Sequence, residues 1–205
     1  MSDEMNFEEN MSHAAGSAPL NNEASTLALL SVYKAKVIGN MTNSRNSGSP
    51  SLFMNDGTAN AKIVMDVLLG SAQSTIDIYS ECLFSGVFSA DLLTEKIRSN
   101  VNVRIVVQDK DVFTKAESAL PAILKDFPEI EILHLGSDIA PNHVCVVDGE
   151  YVRYELDHVK RKALVAFCDD AISLSMKSYF GDIIAQSSVL DYPHLSAALK
   201  SPSLI

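Results

Sequence analysis

The chain has 205 residues, 47% of them hydrophobic and 20% charged, a composition that suits one globular domain with a real core. Its 16 Lys and Arg stand against 26 Asp and Glu, a formal net charge of −10, which argues against a general polyanion binder built on a basic surplus. No apolar run is long enough to span a bilayer, so no membrane partner is expected, and the acidic stretch from Met1 to Asn10 lacks the basic segment of a secretory signal.

Residues 1–25 read as an acidic, disordered tail: Asp3, Glu4, Glu8, Glu9 and Glu23 occur without Lys or Arg, and apolar groups are too few to offset the entropy of ordering. Residues 26–50 read as an N-terminal extension and linker. Within it the apolar run from Ala24 to Ile38 suits a helix or a strand equally, and Asn40 to Pro50 is polar enough to predict a loop. Residues 51–190 carry the folded domain, and 191–205 a C-terminal tail.

In the domain, Asn60 to Leu69 places Ile63, Val64, Val67 and Leu68 on one helical face, with Gly70 as its stop. Ser74 to Tyr79 predicts a strand, Asp91 to Arg98 a helix, and Val101 to Gln108 a buried parallel strand. Lys115 to Asp126 predicts a helix in which Pro121 starts a second part or makes a kink. Ile130 to Leu135 is a further strand. His143 to Val147 and Tyr151 to Leu156 form a hairpin around Asp148-Gly149. Ala163 to Phe167 precedes a last helix, capped by Asp169 or Asp170 and running to about residue 184. Strand–helix alternation followed by a hairpin predicts an α/β fold with a mixed β-sheet flanked by helices.

The stretch from Pro141 to Phe167 holds the candidate chemistry. Strand alternation puts His143 and Cys145 on one face, and Tyr151, Arg153 and Glu155 on one face of the next strand. The hairpin can bring these faces together as a polar cluster. Cys145 reads most simply as a small buried hydrophobe, Asp148 as a turn residue, and Arg153 with Glu155 as an ion pair. The one basic run, Lys160, Arg161 and Lys162 with His158 beside it, reads as a solvated loop, with contact to a nucleic-acid backbone as the functional alternative. Cys82, Cys145 and Cys168 are odd in number and lack metal-ligand spacing, which points to a reducing, cytoplasmic setting and to no metal or other cofactor.

On these residues, from about Leu52 to Ser187, the chain resembles one half-domain of the phospholipase D-like superfamily. Asn55-Asp56-Gly57 stands before the helix; GSAQSTIDIYS and VNVRIVVQD resemble the first two strands, NHVCVVDGEYVRYE the strand pair with the active-site motif, and ALVAFCDDAISLSMKSYFGDII the closing strand and helix. The family motif is His-x-Lys, four residues, then Asp, with Gly-Ser and Asn further on. The resemblance implies His143 as the nucleophile on phosphorus and Asp148 as its support. The lysine position holds Cys145, Asp148 comes two residues early, and the Gly-Ser stretch is absent. Arg153 is the candidate to grip phosphate in the lysine's place, while Glu155 beside it would repel an anion.

The resemblance, with its motif degenerate, predicts a non-catalytic binding or regulatory module. Members with one motif per chain commonly pair, so a homodimer is expected. The alternative is a metal-independent phosphodiesterase or nuclease in which His143 forms a phosphohistidine at a dimer interface. A third reading is an adaptor that docks a protein partner through the acidic N-terminal segment.

Overall fold

The apolar strands at the centre of the chain also form the centre of the sheet. In the computed structural model, which describes residues 20–136 and 141–191, strand β2 (Thr75–Ser80) pairs parallel with β3 (Asn102–Val107), and β3 with β4 (Ile132–Leu135). Helix α3 (Ala90–Arg98) connects β2 to β3, and α4 (Leu120–Asp126) connects β3 to β4. On the other side of β2 lies β5 (Val144–Val147), antiparallel to it, followed by β6 (Tyr151–Asp157), β7 (Lys162–Phe167) and β1 (Ser51–Asn55). Strand β8 (Ser187–Val189) closes the far edge, giving the order β1-β7-β6-β5-β2-β3-β4-β8.

This open mixed sheet has two covered faces. Helices α1 (Leu20–Ser47), α2 (Thr58–Ser71), α3 and α4 bury one face, with Val64, Leu68, Ile78, Ile105, Cys145 and Phe167 in a continuous core. Helix α5 (Asp170–Ala185) covers the other, setting Phe180 and Ile183 against Tyr79, Val106, Val146 and Val152. The local signals are ordinary. Ser89 caps α3 by accepting from the Leu92 amide (3.3 Å), and Asp169 caps α5 by accepting from the Ile172 amide (3.0 Å). The Asp148-Gly149 turn has both residues at positive φ (51° and 69°) and closes through Glu150 N–H to the Val147 carbonyl (3.0 Å), as an Asp-Gly hairpin turn requires.

Three expected elements need correction, and two strands are added to them. Asn40 to Ser47 is not a loop but the last two turns of α1, because Val37, Met41 and Ser44 fall on one helical stripe buried against the body, and tertiary burial overrides a polar composition. Gly48 (φ 66°) then ends the helix, its amide bonded to the Ser44 carbonyl. Gly70 does not stop α2, which runs to Ser71; the Lys96 ammonium caps its end by donating to the carbonyls of Gly70 (2.7 Å) and Ala72 (3.0 Å). Helix α4 starts only at Leu120, with Pro121 in its first turn where its missing N–H costs nothing, so Lys115 lies in a loop. Strands β1 and β8 carry no period-2 signal of their own and form by pairing with β7 and β4. Of the tail expected over 1–25, residues 20–25 are the first turns of α1, while residues 1–19 and, of the tail expected over 191–205, residues 192–205 lie outside the described residues. Among the described residues no helix is long and apolar enough to cross a membrane.

From β2 the chain runs to β3 and β4 on one side, then crosses back to lay β5 antiparallel on the other side of β2. Such a switch point opens a crevice at the carboxyl ends of the parallel strands. Glu81, Gln108 and Asp109, just past β2 and β3, stand at this end together with His143, just before the antiparallel β5.

Candidate functional site

His143 is fixed from three sides. Its carbonyl accepts from the Glu155 amide (2.9 Å), continuing the β5–β6 ladder by one residue. Its Nε2 accepts from the backbone N–H of Glu81 (3.0 Å). A backbone amide can only donate, so the lone pair is on Nε2 and the ring proton on Nδ1. Nδ1 lies 3.2 Å from Glu155 Oε1 and donates to it. The hairpin alternation thus brings the His143 and Glu155 side chains together as the pattern of the two strands predicts.

Glu155 is the hub of the cluster and is only 4% exposed. It accepts from Arg153 Nη1 (3.0 Å), faces His158 Nδ1 (2.9 Å), and has Arg161 Nη1 at 3.5 Å. Burial pushes the Glu155 carboxyl up, but the His143 hydrogen bond and the Arg153 charge and hydrogen bond outweigh it and hold it at about 2. Arg153 donates through its other terminal nitrogen to the Arg161 carbonyl (3.2 Å).

The β6–β7 loop supplies two further residues. Arg161 adopts φ 54°, an uncommon conformation for a non-glycine residue, and its guanidinium lies over the Phe84 ring (5.0 Å). The His158 ring meets His143 edge to face, with centroids 4.6 Å apart, and its Nε2 lies 3.0 Å from Glu81 Oε2. Each nitrogen of His158 therefore faces a carboxylate, and Nδ1 also has the Arg161 guanidinium beside it. On the opposite side Lys115 is 3.5 Å from Glu81 Oε1 and in close contact with Asp109. Between these groups opens a cavity of about 510 Å³, lined by Glu81, Gln108, Asp109, His143, Glu155 and His158 among others.

The donor set includes a compact triangle. His143 Nδ1, His158 Nδ1 and Glu155 Oε1 are separated by 3.2, 3.2 and 2.9 Å, close to the separation of about 3.3 Å between ligands of a tetrahedral zinc. The tautomer speaks against a metal there: the Glu81 amide holds the His143 lone pair at Nε2, and Arg161 Nη1 stands 3.0 Å from His158 Nδ1, where it competes for the same space. The triangle is a hydrogen-bonded network.

The other candidate residues fall in different places. Cys145 is 2% exposed, packed in the core face opposite Ile78 and Arg153, and burial pushes its thiol up to about 12; no reactive thiolate forms there. Asp148 stands at the far end of β5 from His143 and does not support it. Its carboxylate accepts from the amides of Gln73, Ser74 and Thr75 (2.8 to 2.9 Å) and ties the hairpin turn to the start of β2. Arg153 is buried, 3% exposed, and committed to Glu155, so it does not line the cavity. The basic run splits: Lys160 and Lys162 face solvent beside Asp157, whereas Arg161 turns into the cluster. Sequence reasoning missed Glu81, Lys115 and the part played by His158. The first two arrive from loops whose path no local pattern encodes; His158 sits three residues beyond Glu155 across a bulged strand end, where alternation no longer applies.

No protein-family model and no curated protein sequence matches the chain. Solved structures do. Nuc from Salmonella typhimurium, a phospholipase D family member, aligns with a TM-score of 0.57 at 16% identity over 70% of this chain and 100% of that one. NucT from Helicobacter pylori aligns with a TM-score of 0.55 at 13% identity, over 69% and 99%. TrmBL2, an archaeal chromatin protein with a novel mode of DNA binding, aligns with a TM-score of 0.56 at 14% identity, over 82% of this chain and 66% of that one. The fold is thus phospholipase D-like, with the architecture of one half-domain.

Proposed function

We propose that the protein is a metal-independent phosphodiesterase that uses His143 as its nucleophile. The observation that carries this reading is the state of His143: its Nδ1 proton is held by a buried carboxylate, and its one lone pair is on Nε2, at the wall of a polar cavity and engaged only by the Glu81 amide. A nucleophilic imidazole needs that tautomer and that orienting group. The Nε2 lone pair exchanges its contact with the Glu81 amide for phosphorus. An N–P bond forms, a P–O ester bond breaks, and the leaving oxygen takes a proton from an acid. Water then attacks the phosphohistidine, transferring a proton to the resulting base, and Nε2 departs with its electron pair. Glu155 offsets the positive charge that the ring carries in between.

The acid is not His158 of the same chain. Nucleophile, phosphorus and leaving oxygen lie in line, with the acid beyond them, and rings with centroids 4.6 Å apart leave no room for that arrangement. A homodimer in which a second copy presents its His143 from the opposite side, protonated on Nε2 and turned from its Glu81 amide, supplies the acid. Likeness of fold to a phospholipase D family member supports the reading.

The likeness to a DNA-binding chromatin protein, the net charge of −10 and the missing motif lysine favour a second reading, a module that binds without cleaving. Turnover of bis-p-nitrophenyl phosphate and of labelled DNA and RNA in EDTA separates the two. The expected result is metal-independent turnover and an acid-labile phosphoenzyme, both lost in His143→Ala. A folded, dimeric wild type without turnover overturns the catalytic reading.

A further inference from the structure

We propose that the Glu81 side chain occupies a phosphate seat formed by Lys115 and His158, so that Glu81 is an internal competitor of the ligand. The proposal rests on the reading of the cavity as a phosphodiester site. Glu81 stands one residue beyond β2, its side chain 40% exposed at the cavity wall. Its two carboxylate oxygens meet two donors from separate loops: Oε1 is 3.5 Å from Lys115 Nζ and Oε2 is 3.0 Å from His158 Nε2. Two anionic oxygens held by two nitrogen donors is the contact pattern of a bound phosphate group.

The seat does not depend on Glu81 to exist. Asp109 holds Lys115 from the other side, and Glu155 holds His158 through Nδ1 (2.9 Å), so both donors stay in place when the Glu81 side chain swings out. The loop that carries Lys115 is tied to the 81–85 segment by backbone bonds: Asp109 N–H to the Glu81 carbonyl (3.0 Å), Ser85 N–H to the Glu117 carbonyl (2.7 Å) and Ala119 N–H to the Leu83 carbonyl (3.0 Å). Glu81 itself is half exposed and has a rotatable side chain, while its main chain remains bonded to His143. A phosphate entering the seat displaces one carboxylate and keeps the charge balance of the cluster. The cation that the strand position of Cys145 cannot provide comes instead from the loop after β3.

The test measures binding of inorganic phosphate, which has no ester bond to cleave, by calorimetry at pH 7 with the otherwise unaltered protein. Glu81→Gln is expected to tighten binding about five- to tenfold, since a competing charge is removed while the shape is kept. Glu81→Ala gives the same direction. Adding Lys115→Ala to Glu81→Gln is expected to abolish the gain. Unchanged or weaker binding in both Glu81 variants, or a gain that persists without Lys115, overturns the proposal. Tightened binding alongside absent turnover in the parent protein keeps the seat and removes the catalytic reading. Turnover without any tightening does the reverse.

Discussion

Glu155→Gln is the sharpest perturbation of the cluster. The substitution keeps the side-chain volume and removes the charge that four groups share. The main consequence falls on Arg153, which is 3% exposed and would retain a guanidinium without its counter-charge. Breaking a buried ion pair by removing one partner costs about 3–5 kcal/mol. A second route gives a similar figure: the carboxyl sits at about 2 against an ordinary 4.5, and at about 1.4 kcal/mol per unit this is about 3 kcal/mol of stabilisation at neutral pH. For a urea slope of about 2 kcal/mol/M, the unfolding midpoint should fall by about 1.5 M. Equilibrium urea unfolding followed by circular dichroism at pH 7 measures this. Arg153→Met combined with Glu155→Leu removes both charges and should restore part of the loss, because an apolar pair leaves nothing buried without compensation. A Glu155→Gln loss under about 1 kcal/mol, or a double variant less stable than the single one, would refute the reasoning.

Two further expectations follow from the same geometry. Because the folded-state pKa of Glu155 is depressed, its stabilisation is complete above the ordinary carboxylate value of 4.5 and disappears as pH falls towards about 2; the unfolding midpoint should drop steeply across that window in the wild type and more shallowly in Glu155→Gln, and parallel curves for the two proteins would count against the assignment. Cys145→Lys restores the motif lysine in sequence but puts an ammonium into a position that is 2% exposed and packed in the core, so it should cost several kcal/mol (about 3 or more) and yield no turnover; a stable, more active variant would show that the strand position still reaches the substrate.

The sheet was legible wherever one face of an element is apolar. The strands at Ser74–Tyr79 and Val101–Gln108, the Asp148-Gly149 hairpin and the Asp169 cap all follow from local signals that tertiary structure reinforces. The errors occur where burial comes from distant partners: the polar end of α1 is helical because Met41 and Ser44 face the body, and β8 exists because β4 offers an edge. In the site, alternation is enough to pair His143 with Glu155 because a two-residue period fixes which side chains share a face. It says nothing of Glu81, which reaches the cavity from the loop after β2, of Lys115, which meets Glu81 from the loop after β3, or of Arg161, whose positive φ falls outside any strand pattern.

Spatial rather than sequential placement also changes the weight of the missing motif lysine. What phosphate chemistry needs is positive charge at a defined distance from the nucleophile, not a lysine two residues along the strand. Each cation of the cluster has a carboxylate beside it: Arg153 and Arg161 have Glu155, and Lys115 has Asp109 and Glu81. A cluster balanced in this way leaves no free positive charge to attract an anion from a distance, which agrees with an acidic chain and disfavours electrostatic capture of a polyanion. Binding by exchange is different. The incoming oxygens take over contacts that Glu81 already makes, so affinity depends on shape and on the cost of moving one exposed side chain rather than on net charge. That is why neutralising a carboxylate at position 81 and neutralising the one at position 155 have opposite expected effects: the first vacates a half-exposed seat, and the second leaves a buried guanidinium without its partner.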